Sequence, residues 1–83
     1  MSKRRTLLVA ERVVPSRERE QYVAALRETQ SRCELAGVHF WAFEHERDPS
    51  RFLEFAEAKD ATVLDAVALD SASTSRWYAV ELT

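Results

Sequence analysis

The chain holds one cysteine, one glycine and two prolines, and no run of apolar residues longer than a handful. Each scarcity excludes something. A single cysteine, Cys33, cannot form a disulfide within the chain. One cysteine and two histidines do not approach the ligand spacing of a structural zinc site. One glycine leaves no glycine-rich phosphate loop. Nothing approaches the ~20 consecutive apolar residues of a membrane-spanning helix. The only run of one charge sign is "SKRR" at Ser2 to Arg5, in a chain of net charge −2 with both signs interspersed. Residues 1–5 read as a flexible basic start. A nucleic-acid role would want a basic face with aromatics among the charges, so no nucleic-acid partner is expected. The apolar "TLLVA" that follows is too short for a signal-peptide core. The lone cysteine suits a reducing compartment, and a cytoplasmic location is expected.

What is present fits one small globular domain, residues 1–83, with 46% hydrophobic and 31% charged residues. A chain this short buries only roughly 60–65% of the surface its unfolded form exposes. Small domains often add disulfides, metals or a partner chain. With the first two excluded, good packing or oligomerisation is left.

Hydrophobic periodicity gives the order of elements. "TLLVAERVV" (Thr6 to Val14) reads as a strand that stops at Pro15. Ser16 is a candidate helix cap, and Glu18 and Glu20 suit a first turn. Tyr22, Leu26, Thr29, Cys33 and Ala36 then recur at spacings of three and four, with Val23 and Leu35 widening the stripe. This predicts a helix over 17–36, ended by Gly37. "VHFWAFEHERDPSRFLEFAE" (Val38 to Glu57) reads as a hairpin around the turn "DPSR". If Asp48 and Arg51 flank that turn, His45 lies opposite Glu54, Phe43 opposite Ala56, and Trp41 opposite Ala58. The alternative register places Glu46 against Glu54, a disfavoured like-charge pair. Asp60 can cap a second helix with Val63, Ala66, Val67 and Leu69 turned inward. "DSASTS" (Asp70 to Ser75) is a polar loop, and "RWYAVELT" (Arg76 to Thr83) reads as a last strand.

Strand, helix, strand, strand, helix, strand makes a ferredoxin-like βαββαβ fold of the α+β class: a four-stranded antiparallel sheet with two helices on one face. In that register one side of the hairpin carries Trp41, Phe43 and Phe52, and the other Val38, Phe40, Leu53 and Phe55. Strand residues alternate sides, yet neither side reads as a solvent face. The uncovered side calls for a second copy of the chain. The expected interface comprises Phe40, Leu53, Phe55, Tyr78, Val80 and Leu82.

The segment "GVHFWAFEHERDPSRFLEFAEAKDATVLDAV" (Gly37 to Val67) resembles the core of the dimeric α+β barrel proteins, especially the antibiotic-biosynthesis-monooxygenase type. In that pattern a helix ends at Gly, an aromatic strand and an Asp-Pro turn follow, and the next strand runs into an acidic residue opening a short helix. The resemblance implies a homodimer in which two sheets form one barrel. It also implies activities found among such proteins: cofactor-independent oxygenation of quinol-like aromatics, or haem degradation. Where members carry Trp at the end of the third strand, this chain has Ala58. Where haem-degrading members carry Asn in the first strand, it has Arg12. The second-helix segment "DATVLDAVALD" has no His.

Two groups of residues are candidates for chemistry. His45, Glu54 and Arg12 form a cluster in which a carboxylate between two basic groups could orient an imidazole as a general base; the alternative is an exposed cross-strand ion-pair row. Tyr22, Trp41 and Phe43, opposite the small Ala56 and Ala58, form either an aromatic ligand pocket between helix and sheet or plain core. His39 and Cys33 read as structural. The expectation is a homodimeric barrel that binds a small aromatic or apolar molecule or serves as an assembly module, without cofactor, metal or turnover. The alternative is a cofactor-independent monooxygenase acting on a quinol-like or polyketide aromatic.

Overall fold

The computed structural model describes residues 4–67, 69 and 74–82. The elements are β1 (Thr6–Val13), a short 3-10 turn (Ser16–Glu18), α1 (Arg19–Ala36), β2 (His39–Glu44), β3 (Arg51–Ala58), α2 (Ala61–Asp65) and β4 (Thr74–Tyr78). The four strands form one antiparallel sheet in the order β2-β3-β1-β4. Both helices pack on the same face, and the fold is ferredoxin-like α+β, as the element order predicts.

Helix α1 starts later than expected. Ser16 opens the 3-10 turn instead of capping α1, and no side-chain cap bond is formed at either start. The far end follows the expectation. Gly37 adopts φ 78°, and the amides of Gly37 and Val38 donate to the carbonyls of Glu34 and Cys33 at 3.2 and 2.8 Å. This is the paired C-terminal arrangement in which a left-handed residue satisfies the last carbonyls. Val38 and Cys33, brought together by it, are both buried in the core. Leu35 and Ala36, expected on the inner stripe, face outward, and Leu35 is 91% exposed.

The central hairpin pairs differently from the sequence expectation. The Asp48 turn does form: Arg51 N donates to Asp48 O at 3.1 Å, and Ser50 donates to Asp48 Oδ1 from both its amide and its hydroxyl. However, His45 Nδ1 accepts the amides of Arg47 and Asp48, each at 3.1 Å. That bend adds residues to the connection, and pairing resumes only at His45 N to Arg51 O. Phe43 therefore lies opposite Leu53, Trp41 opposite Phe55, Ala42 opposite Glu54 and Phe40 opposite Ala56. An odd shift of register moves side chains to the other face relative to their partners. Phe52 accordingly joins Phe40 on the helix side, while Leu53 and Phe55 join Trp41 and Phe43 on the other.

The core lies between helices and sheet: Cys33, Val38, Ala56, Ala58, Leu64 and Val67 are buried, with Leu8, Phe40, Val63 and Leu69 packed against them. In α2, Asp60 caps by accepting Val63 N at 3.1 Å. Leu64, not Ala66, is the inward residue; Ala66 is exposed. The expected loop at 70–75 lies outside the described residues up to position 73, and β4 already begins at Thr74. It ends at Tyr78, so Val80 and Leu82 lie beyond the sheet, 70% and 91% exposed. At the N-terminus, Arg4 donates to Ala79 O, and Arg5 pairs with Glu57 at 2.9 Å. Among the described residues no helix is long and apolar enough to cross a membrane.

Candidate functional site

The face of the sheet away from the helices is apolar at its centre and carries charge towards its ends. Registers place Leu7, Val9 and Val13 of β1 there, with Trp41 and Phe43 of β2, Leu53 and Phe55 of β3, and Trp77 of β4; Glu11, His39, Arg51, Glu57 and Ser75 share the face. Phe43 and Phe55 meet edge to face, with ring centroids 5.6 Å apart. Trp41, Phe43 and Trp77 keep 44%, 54% and 59% of their surface open to solvent. Of the residues expected at an interface, Leu53 and Phe55 lie on this face. Phe40 and Tyr78 do not: Phe40 packs on the helix-side core, and Tyr78 pairs with the inward-facing Thr6 and stacks under Arg4. The odd shift in hairpin register accounts for Phe40. The earlier placement of β4 takes Val80 and Leu82 off the sheet.

The residues expected to form one aromatic pocket are split between the faces for the same reason. Tyr22, Ala56 and Ala58 are on the helix side; Trp41 and Phe43 are on the open side. Ala58 is buried in the core. Ala56 lines a cavity of about 110 Å³ between α1 and the sheet. The cavity exists because β1 and β3 present Ala10 and Ala56 beneath the middle of α1, and neither fills the space up to the helix. Leu8, Phe40 and Leu69 supply apolar wall, Thr29 and Arg32 come from α1, and Arg12 and Glu54 line it from the sheet. Neither histidine lines it.

At the Glu54 side of this cavity a polar cluster forms, with a different membership from the one expected. Arg12 sits diagonally across the β1–β3 ladder from Glu54, a separation its long side chain can span. Its Nε donates to Glu54 Oε2 at 3.3 Å. The same oxygen accepts the Tyr22 hydroxyl at 2.6 Å. Tyr22 stands in the early part of α1, held with its ring 4.7 Å from that of Phe52. His45 is not part of the cluster: it is exposed, and its Nδ1 is engaged in the loop. The base expected beside Glu54 is thus replaced by a phenol. Burial pushes the Tyr22 hydroxyl well above the ordinary phenol range; its hydrogen bond to Glu54 and that carboxylate's charge add to the effect, and Arg12 opposes it. Tyr22 is a neutral donor here. Its link to Glu54 was signalled in the sequence only by its place on the inner helical stripe; nothing there indicated a partner for the hydroxyl.

Cys33 is fully buried, and burial raises its thiol above the usual range against the opposing field of Arg32. His39 stacks on Trp41 at 5.9 Å on the open face. Among the described residues no group of His, Cys, Asp and Glu is gathered that could hold a metal ion.

No family model and no curated protein matches the sequence. Solved structures do match in shape. A conserved protein of unknown function from Bacteroides thetaiotaomicron, suggested to be an oxidoreductase, superposes with TM-score 0.75 at 17% identity over 93% of this chain and 99% of its own. A protein from Shewanella oneidensis gives 0.73 at 14% identity over 94% and 93%. A protein from Nitrosomonas europaea, provisionally described as an antibiotic biosynthesis monooxygenase, gives 0.75 at 13% identity over 99% and 94%. The chain shares its ferredoxin-like fold with these proteins over 93–99% of its length. At these identities the likeness is one of fold.

Proposed function

We propose that the protein is a homodimeric α+β barrel in which each protomer binds a small, partly apolar molecule between α1 and the sheet, without turnover. The observation that carries this reading is the contrast between the two faces of one sheet. The helix side packs over a small, half-open cavity, and the opposite side is an uncovered, largely apolar surface. Trp41, Phe43, Leu53 and Trp77, each roughly half exposed, would together regain about 3–6 kcal/mol per protomer on being covered, at ~1.5–3 kcal/mol for a full side chain. A symmetric pair doubles that to about 6–12 kcal/mol, set against rigid-body losses of roughly 4–15 kcal/mol; Val13, 76% exposed on the same face, adds to the gain.

The cavity supports binding of something small. Its ~110 Å³ is far below the roughly 300–1,000 Å³ of pockets that hold drug-sized ligands. A polycyclic aromatic does not fit. Among the described residues the titratable groups around it are Arg12, Arg32, Glu54 and the adjacent Tyr22, and the phenol is held protonated, which disfavours it as a base.

A thermal-shift screen with single-ring phenols, quinones, haem and polycyclic aromatics tests the reading at fixed protein concentration. A ligand of the native state alone stabilises by about 2.7 kcal/mol at one hundred times its Kd. Single-ring compounds should raise the melting temperature, and the polycyclic ones should not. The second reading is a cofactor-independent monooxygenase of a quinol-like aromatic, favoured by the provisional description of the Nitrosomonas europaea protein that shares the fold. Oxygen uptake with a compound that binds would establish that reading in place of the first.

A further inference from the structure

We propose that the cavity between α1 and the sheet selects a small hydroxy-carboxylic acid, with its hydroxyl donating to Glu54 and its carboxylate meeting Arg32. This deepens, and rests on, the small-molecule-binding reading above.

Two polar groups around the cavity are incompletely used. Glu54 accepts hydrogen bonds from Arg12 and Tyr22, and both arrive at Oε2. Among the described residues its other oxygen, Oε1, receives none. An ionised carboxylate has about four acceptor positions on its two oxygens. Glu54 is 14% exposed at its side chain and lines the cavity. Among the described residues no buried polar side-chain atom is left unpaired, so Oε1 meets solvent, and a ligand that displaces solvent there must supply a donor in its place. Arg32 lines the same cavity from α1, yet it is exposed and makes no hydrogen bond or ion pair among the described residues. A guanidinium offers a planar fork of donors that matches a carboxylate. Leu8, Ala10, Phe40 and Ala56 supply apolar wall to the same cavity.

These features together narrow the ligand. A purely apolar molecule leaves Oε1 without a donor. An anion with no donor suits Arg32 but places nothing on Glu54. A cation suits Glu54 but meets the positive charge of Arg32 and of Arg12, which is bonded to that same carboxylate. An acid carrying a neutral hydroxyl at its far end satisfies every group. The volume limits what enters: a cavity of ~150 Å³ holds benzene whole, so this half-open cleft of about 110 Å³ takes only the hydroxyl end of one ring or short chain and leaves the carboxylate at its mouth, where Arg32 is exposed.

Calorimetric titration of the full chain with 4-hydroxybenzoate, benzoate and phenol tests this. 4-Hydroxybenzoate should bind at least about tenfold more tightly than either of the others, the equivalent of one charge-assisted hydrogen bond or one ion pair. Arg32→Ala, a surface change that the fold tolerates, should lower affinity for 4-hydroxybenzoate and benzoate about tenfold and leave phenol unchanged, and Arg32→Lys should restore part of it. Glu54→Gln should bring 4-hydroxybenzoate towards the benzoate value. Equal affinity for all three compounds, or no effect of Arg32→Ala, overturns the two-ended recognition and leaves small-molecule binding standing. Failure of all three to bind a folded protein overturns the binding reading itself, and this inference with it.

Discussion

Replacing Tyr22 with phenylalanine removes one hydroxyl and keeps the ring against Phe52, so it isolates the bond from α1 to Glu54. The donor–acceptor distance of 2.6 Å marks a short, charge-assisted contact. Hydrogen bonds to charged groups contribute about 1.5–3 kcal/mol. Glu54 keeps Arg12 in the variant and is partly open to water, so the lower end applies: a loss of about 1.5 kcal/mol. With a urea dependence near ~1 kcal/mol per molar for a chain this small, the denaturation midpoint should fall by roughly 1.5 M at fixed protein concentration. The alkaline limb gives a second reading of the same bond. Because the folded-state phenol is raised above its unfolded value near ~10, its contribution is fully present below about pH 10 and declines as pH climbs toward the folded value. The stability gap between wild type and Tyr22→Phe should therefore narrow above about pH 10, and the phenolate absorbance that Tyr22→Phe removes should appear only as wild type unfolds. A midpoint shift within error, together with a gap that does not change with pH, would refute the Tyr22–Glu54 link.

Other consequences are simpler. Gly37→Ala should cost about 1–2 kcal/mol, all of it backbone, because φ is 78° while nothing lies within 4 Å of an added Cβ; Gly37→Asn should cost less. Asp60→Ala should lose about 1 kcal/mol by leaving Val63 N without its cap, and Asp60→Asn should recover most of it in the same chemical denaturation series. Leu53→Lys puts a charge at the middle of the open face, beside Glu11 across the ladder; sedimentation should show a folded monomer at concentrations where the wild type is paired. Falling pH should weaken the hairpin loop as Asp48 protonates. Its carboxyl is held below the usual range by the bonds from Ser50, so its contribution is present above the unfolded value and fades as pH drops through the folded one. Amide exchange at Ser50 reports it.

Much of the fold was legible because each element carries its own local signal. Gly37 after an apolar helical stripe, Asp60 before a short apolar run, and alternating strands bounded by Pro15 and the Asp48 turn all act within a few residues. The hairpin register was not, because it depends on the bend that His45 makes by accepting two amides from its own loop. An imidazole bonding to the backbone has no sequence signature comparable to Asp at a turn. That single bend decided which aromatics share a face, and it separated Trp41 and Phe43 from Tyr22 while removing His45 from Glu54. The Arg12–Glu54 pairing was legible, since it needs only β1 beside β3. Tyr22 reaches Glu54 across the layer between helix and sheet, a distance no local pattern encodes.

The central claim is that the apolar face bearing Trp41, Phe43, Leu53, Phe55 and Trp77 is covered by a second copy of the chain. Sedimentation equilibrium at micromolar protein measures this directly. The account predicts a species of twice the 9.6 kDa protomer mass, with tryptophan fluorescence shifted to the blue of the Leu53→Lys monomer. A folded species that stays at 9.6 kDa across that concentration range contradicts it.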